Sequence, residues 1–168
     1  MRRRTYGWAA TAALLIVLVG GLAGACASAS APEGGDAIGS AIMPDPTLTP
    51  GAVASTDVNE ICVSGYARRA RDVSTATKNA VYAEYHIAAH RSGEYEIDHL
   101  VPLGIGGSND MKNLWPQPTD PRPGRLEKDG LKDELHKRIC DHSVDVRTAQ
   151  QDVAVDWVAA YRKYVLRR

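Results

Sequence analysis

The N-terminal segment of this chain begins with basic residues and continues as a long uncharged stretch. We therefore expect the folded domain to lie in the later part of the chain. Three arginines at residues 2–4 precede an uncharged stretch over residues 5–32, whose centre is the apolar run at residues 14–19. A short basic segment followed by an apolar run and small residues is the layout of a secretory signal. We therefore expect residues 1–26 to be a signal peptide and the remainder of the chain to act outside the cytoplasm.

The end of this segment offers more than one way of processing. Residues 22–26 read Leu-Ala-Gly-Ala-Cys, which resembles a bacterial lipobox and predicts cleavage before Cys26 with a lipid on its thiol. The Ala-Gly-Ala triplet at residues 23–25 also fits ordinary signal peptidase, and the apolar run is long enough to remain as an uncleaved anchor of about 20 residues. We favour a cell-envelope lipoprotein attached to the membrane through Cys26. Free secretion and an uncleaved signal anchor are the alternatives.

Residues 27–57 are mostly Ser, Ala, Gly and Pro, with few large side chains. Such a segment buries too little apolar surface to offset the entropy lost on ordering, so it is predicted to be a flexible tether. The folded domain then spans residues 58–168, which is long enough for one small core.

The charge balance excludes the simplest sign of nucleic-acid binding. Twenty Lys and Arg residues balance twenty Asp and Glu residues, so the formal net charge is zero. A strongly basic chain is therefore not the basis of any such binding, which must rest on a local site. Basic clusters at residues 68–71 and 162–168 are candidates for phosphate contacts, and their alternative is a solvated face.

The cysteine count supports export. The chain has three cysteines, and lipidation of Cys26 leaves Cys62 and Cys140 as an even pair in an oxidising compartment. We therefore predict a disulfide between Cys62 and Cys140, which in the loop-entropy account stabilises the fold by about 4 kcal/mol. The alternative is a pair of buried free thiols.

Hydrophobic periodicity predicts a domain of class α+β. Apolar residues at helical spacing predict helices near residues 75–85, 126–139 and 148–165, and Ser74 or Thr75 is the expected cap of the first. A strand is expected within residues 94–103, followed by a glycine loop and a second short strand beginning near Asn113. We therefore expect a short β-hairpin within a small, mainly helical domain.

The region between residues 96 and 115 carries the most informative pattern. Four pairs follow one another in order: Asp98-His99, Pro102-Leu103, Gly106-Gly107 and Asn113-Leu114. This order of D-H-x-x-P-L, a Gly-Gly loop and N-L resembles the HNH endonucleases, and the flanks from Cys62 to Trp157 resemble a group of small secreted bacterial HNH-type proteins. The resemblance implies a ββα-metal finger, in which two short antiparallel strands and a helix surround one divalent cation.

The resemblance also implies roles for the site residues. Hydrolysis of a phosphodiester needs a base that deprotonates water and a cation that neutralises the phosphate. Asp98 is implied as a metal ligand and His99 as the general base, with the ordinary histidine pKa near about 6.5. Adjacent residues on a strand point to opposite faces, so the strand must end or bulge at this pair. Asn113 is implied as an organiser that braces the loop through side-chain hydrogen bonds and so keeps His99 oriented.

A third metal ligand is not where the family pattern places it, because no His or Asn follows Asn113 until His136. Asp129, Asp133 and His136 lie at positions i, i+4 and i+7, on one face of the predicted helix. We favour Asp129 as the third ligand and place His136 next, while a solvated helix face is the alternative. Oxygen ligands favour Mg²⁺ or Mn²⁺, and a histidine ligand also permits Zn²⁺.

These observations predict a metal-dependent endonuclease that hydrolyses phosphodiester bonds of nucleic acid, with DNA the favoured substrate and RNA the alternative. Two other interpretations stay open. One is a non-catalytic extracytoplasmic binding or envelope module that retains the finger as a scaffold, and the other is a hydrolase of a different phosphodiester. The sequence indicates no protein partner.

Overall fold

The computed structural model describes residues 43–167. The predicted signal peptide, Cys26 and residues 27–42 of the predicted tether lie outside the described residues. The helices and strands, in chain order, are α1 (Val58–Ile61), α2 (Tyr66–Ala70), α3 (Thr75–Glu84), β1 (Tyr95–His99), β2 (Leu114–Pro118), α4 (Arg125–Cys140) and α5 (Val146–Tyr161). Helices and one two-stranded antiparallel sheet make the domain α+β, as predicted. Within residues 43–167, no helix combines the length and apolar character needed to span a membrane.

Helix α3 begins where its sequence provides a cap. The Ser74 hydroxyl accepts a hydrogen bond from the Thr77 N–H at 3.0 Å, which satisfies one of the donors left free at a helix start. The buried Val81 side chain then packs with Ile97 of β1 and Leu114 of β2. Helix α3 therefore covers one face of the sheet.

The two strands are antiparallel, with Asp98 opposite Trp115 and His99 opposite Leu114. The sequence predicted that the first strand lies within residues 94–103, whereas β1 ends at His99. The Leu100 N–H still donates to the Asn113 carbonyl at 2.7 Å, but the Val101 N–H and carbonyl bond to the Asn113 side chain, so the strand pairing stops. The Asp-His pair thus lies at the end of a strand, as a shared site requires.

Helices α4 and α5 build the main core. In α4 the buried residues Leu131, Leu135 and Ile139 recur at intervals of four and form one apolar stripe. They pack in the same cluster as Val153 and Trp157 of α5. Both helices confirm the sequence prediction, and α5 is followed by one π-helical segment, Arg162–Leu166.

A disulfide joins the N-terminal and C-terminal parts of this core. Cys62 follows α1 directly and Cys140 ends α4, and their Cα atoms lie 5.6 Å apart across the bridge. The structure thus contains the pairing that the cysteine count predicts.

Residues 43–57 lie against the domain, which differs from the flexible tether predicted through residue 57. Thr49 is buried, and its hydroxyl donates to the Leu114 carbonyl at 2.9 Å. Backbone hydrogen bonds join the segment to the loop between the strands: Gly51 N–H to Lys112 O, Ala54 and Ser55 N–H to Gly106 O, and Ser108 N–H to Ala52 O. The prediction considered only apolar burial, whereas this segment is held largely by hydrogen bonds.

Candidate active site

The loop between β1 and β2 begins with a turn that only glycine fits. A Cβ atom on Gly107 would lie 1.9 Å from the Val101 carbonyl oxygen, far inside van der Waals contact. Gly106 has a φ of +88°, and a Cβ atom there would lie 2.1 Å from the Ser55 carbonyl oxygen. The Gly-Gly pair therefore permits a close approach of backbone to backbone.

The buried Asn113 side chain holds this loop together through hydrogen bonds. Its side chain is fully buried, and its Oδ1 accepts from the Val101 N–H at 2.8 Å. Its Nδ2 donates to the carbonyls of Val101 and Ser108 at 2.9 and 2.8 Å. Asn113 thus braces the loop, but none of these hydrogen bonds reaches the His99 ring.

The side chain that holds the His99 ring is Asn109. The Asn109 Nδ2 donates to the Ala70 carbonyl at 2.7 Å, so its Oδ1 is the atom that faces His99 Nε2 at 3.0 Å. Because Oδ1 is an acceptor, Nε2 must carry the proton and Nδ1 must hold the lone pair. The hydrogen-bond network thereby assigns the tautomer that a general base needs.

Sequence reasoning missed Asn109, because it lies between the Gly-Gly pair and Asn113 at a position outside the recognised pattern. The sequence offers one weak signal, since Ser108-Asn109-Asp110 is a polar run typical of a loop that bonds to its surroundings. The hydrogen bond to Ala70 joins residues that are far apart in the sequence, so no local sequence pattern predicts it.

His99 Nδ1 is buried, and it has no hydrogen-bond partner among the described residues. Burial lowers the pKa of His99, and this outweighs the hydrogen bond that its ring donates to Asn109 and the charge of Asp98, which raise the pKa. The sequence-based expectation of an ordinary histidine pKa is thus wrong, because the ring is only 2% exposed. The lowered pKa keeps the imidazole neutral near pH 7.

Asp98 is paired with a lysine that the sequence analysis did not single out. The Lys128 Nζ donates to Asp98 Oδ2 and to the His99 carbonyl oxygen. Burial raises the pKa of Asp98, but the Lys128 charge and hydrogen bond lower it by more, so the net pKa lies below its usual value. Asp98 is therefore ionised at neutral pH and engaged with an ammonium group.

A signal for Lys128 is present in the sequence. Lys128, Leu131 and Leu135 stand at i, i+3 and i+7, so they share the buried face of α4. A lysine at such a position is rarely buried unless it is paired. Its place on the apolar stripe, one turn into the helix, therefore predicts a buried anionic partner.

A cavity of about 90 Å³ brings these groups together. Its charged and titratable lining side chains are Arg71, Asp98, His99, Lys128, Asp129 and Lys132. One water molecule needs roughly 10–15 Å³ of such space, so the cavity admits several. The side chains of Asp129 and Lys132 are 48% and 38% exposed, which places the cavity mouth beside α4.

The predicted metal ligands are only partly brought together. Asp98 and Asp129 line the same cavity, but Asp129 Oδ1 is bound by Lys132 Nζ at 2.8 Å. His136 lines a neighbouring cavity with Asp133, and its Nδ1 lies 2.6 Å from the Gly104 carbonyl. In residues 43–167 no group of three His, Cys, Asp or Glu side chains is placed to hold a metal ion. As they are placed, these donors do not fit a divalent cation.

Comparisons with protein-family models, with curated proteins and with solved structures find no match to this chain. The interpretation of the cavity therefore rests on its own geometry and on the sequence pattern.

Proposed function

We propose that this protein hydrolyses phosphodiester bonds of nucleic acid, with His99 as the general base. The observation that carries the proposal is the Nδ1 lone pair of His99, which has no hydrogen-bond partner within residues 43–167 while Asn109 binds the other ring nitrogen. A general base must be unprotonated at the working pH and fixed in orientation. The lowered pKa and the Asn109 hydrogen bond support both requirements.

The order of elements supports an HNH-type finger as the finer description of this fold. Strand β1 ends in Asp98-His99, the glycine loop follows, β2 returns antiparallel, and α4 comes next in the chain. Lys128 in the first turns of α4 contacts the end of β1, so helix and strand meet at the proposed site. Asn113 braces the loop as the resemblance implies.

The charges of the cavity suit a phosphodiester. Arg71, Lys128 and Lys132 line it, and Asp98 and Asp129 form ion pairs with the two lysines, which balances two of the three charges in the net total. With His99 neutral, one positive charge remains to attract a phosphate group. Charge complementarity of this kind favours a nucleic-acid backbone, with DNA the first substrate to test and RNA the second.

The proposed reaction consumes one water molecule for each bond cleaved. The water oxygen forms a bond to phosphorus while His99 Nδ1 takes a water proton, which requires water to reach the ring through the cavity. The bond from phosphorus to the leaving oxygen breaks, and that oxygen takes a proton from solvent. His99 then returns its proton to solvent. The sequence pattern predicts Mg²⁺ or Mn²⁺ here, but the donor set does not fit such an ion, so no step is assigned to it.

The test is cleavage of plasmid DNA and of a defined RNA by the purified protein with its disulfide intact, with EDTA or with each of Mg²⁺, Mn²⁺ and Zn²⁺. We expect His99→Ala and His99→Gln to lose cleavage while circular dichroism shows an unchanged fold. His142→Asn is the matched control, because His142 is exposed and lies outside the cavity. Intact substrates under every condition, with folded protein, would instead favour a non-catalytic binding module on the same scaffold.

Export and membrane attachment remain part of this proposal. They rest on the signal-like N-terminus and on the predicted lipidation of Cys26. The Cys62–Cys140 disulfide supports an oxidising location, because such bonds persist mainly outside the cytoplasm.

A further inference from the structure

Lys128 is the buried cation of the cavity, and the inference about it rests on the proposed function. It lies in the first turns of α4, its side chain is only 3% exposed, and its Nζ contacts both Asp98 Oδ2 and the His99 carbonyl. A buried lysine requires compensation for its charge, and Asp98 supplies it. The Lys128 ammonium group is therefore buried against the end of β1.

Two of the carboxylates predicted as metal ligands already contact ammonium groups. Asp98 is held by Lys128, and Asp129, which the sequence favoured as the next ligand, is held by Lys132. His136 lines a different cavity. A divalent cation at Asp98 would lie beside the Lys128 ammonium that is bound to Oδ2, and would meet like charge there.

The Lys128 ammonium group can donate a further hydrogen bond to a substrate. It has three N–H donors, and the described residues accept two of them, at Asp98 and the His99 carbonyl. One donor is left for a phosphate oxygen that enters the cavity. Arg71 lines the same cavity and has no ion-pair partner among the described residues, so it adds a second cation for the phosphate.

We infer that Lys128 supplies the positive charge that a divalent cation supplies in metal-dependent nucleases, and that cleavage at this site needs no metal. In the hydrolysis described above, Lys128 stabilises the negative charge on the phosphate oxygens and neither gains nor loses a proton. Positively charged groups placed beforehand at developing negative charge are an effective means of lowering a barrier. The base remains His99.

The first arm of the test measures activity with and without metal. Protein freed of metal with EDTA is assayed on plasmid DNA and RNA in EDTA, Mg²⁺, Mn²⁺ or Zn²⁺. We expect cleavage in EDTA at a rate within about twofold of that with metal, and a loss of about 100-fold or more in Lys128→Gln. Lys137→Gln is the matched control, since Lys137 is exposed on the same helix. Cleavage that disappears in EDTA and returns with a metal overturns the inference while leaving the proposed function intact.

The second arm measures metal binding directly and does not depend on activity. Calorimetric titration of the wild-type protein with Mg²⁺, Mn²⁺ and Zn²⁺ should show no stoichiometric site at micromolar affinity. Lys128→Asn frees Asp98 and adds an amide oxygen, so we expect it to gain binding of Mn²⁺. One-to-one binding by the wild-type protein that Asp98→Asn abolishes would overturn the inference. If the folded protein cleaves nothing under any condition, the proposed function fails, and this titration still decides which cation the site holds.

Discussion

The His99 ring donates a 3.0 Å hydrogen bond from Nε2 to Asn109 Oδ1, and the Asn109 amide group is itself fixed by its hydrogen bond to the Ala70 carbonyl. The Asn109 side chain therefore sets both the orientation and the tautomer of the His99 ring. We expect Asn109→Ala to lower kcat by about 10-fold to 100-fold with little change in KM, because the ring loses its restraint and the substrate contacts remain. Nitrogen chemical shifts of the histidine ring should show a mixture of tautomers in this variant. Asn79→Ala, on the exposed face of α3, is the control. An unchanged tautomer in Asn109→Ala would contradict the assignment.

The lowered pKa of His99 predicts how activity depends on pH. Burial is the main cause, so the imidazole stays neutral below its ordinary pKa of 6.5. The acidic limb of kcat/KM should therefore lie below pH 6.5. Asn109→Asp places a carboxylate beside Nε2, which favours the protonated ring, and should move that limb to higher pH. A limb at or above pH 6.5 in the wild-type protein would contradict this prediction.

The same pKa shift affects stability. The folded state binds the His99 proton less strongly than the unfolded chain, so the free energy of unfolding rises with pH between the lowered pKa and 6.5. This contribution is fully present above pH 6.5 and is lost as the pH falls through the lowered pKa. Urea unfolding from pH 7.5 down to pH 5 should show a steeper loss for the wild-type protein than for His99→Gln. Equal slopes would show that His99 does not contribute.

Asn113 should be important for stability. Its truncation in Asn113→Ala leaves the buried Val101 N–H and two carbonyls without their side-chain partner, and each unsatisfied buried group costs about 1–3 kcal/mol. We expect a loss of about 2–4 kcal/mol in the free energy of unfolding, measured by urea denaturation. The exposed Asn79→Ala should change it by less than about 0.5 kcal/mol. Equal effects of the two substitutions would refute a bracing role for Asn113.

Two glycine-to-alanine substitutions should have opposite effects. Gly107→Ala brings a methyl group within 1.9 Å of the Val101 carbonyl oxygen, so we expect a protein that fails to fold or loses more than about 3 kcal/mol. Gly130 lies within α4, and no atom of the described residues lies within 4 Å of the position that a Cβ atom would take there. Gly130→Ala should raise the free energy of unfolding by about 0.5–1 kcal/mol, because alanine favours a helix interior. Thermal unfolding distinguishes the two, and a stable Gly107→Ala would show that the turn can rearrange.

The elements with a periodic or capped sequence were predictable. Helix α3 starts at its serine cap, and α4 and α5 follow their apolar stripes, because these signals are local. The short helices α1 and α2 were not predicted, since four or five residues carry too little periodicity. Residues 43–57 escaped prediction because hydrogen bonds to the glycine loop, more than 50 residues away, hold them.

The site was predictable only as far as its motif extends. Asp98, His99 and Asn113 stand in the recognised pattern, and the structure places all three around one loop. Asn109 and Lys128 were missed because their roles depend on contacts with Ala70 and Asp98, made across 39 and 30 residues of sequence. A motif search does not detect contacts of that range.

If Cys26 carries the proposed lipid, the packing of Met43 against the core limits how far this domain can stand from a membrane. Sixteen residues, 27–42, separate Cys26 from Met43, whereas the sequence predicts a tether of thirty-one residues. Fully extended, sixteen residues reach about 55 Å, and as a flexible coil they average about 22 Å. A lipid on Cys26 would therefore keep the His99 cavity close to the cell surface. A nuclease held in this way would act on nucleic acid that arrives at the envelope and would leave distant molecules in the medium untouched.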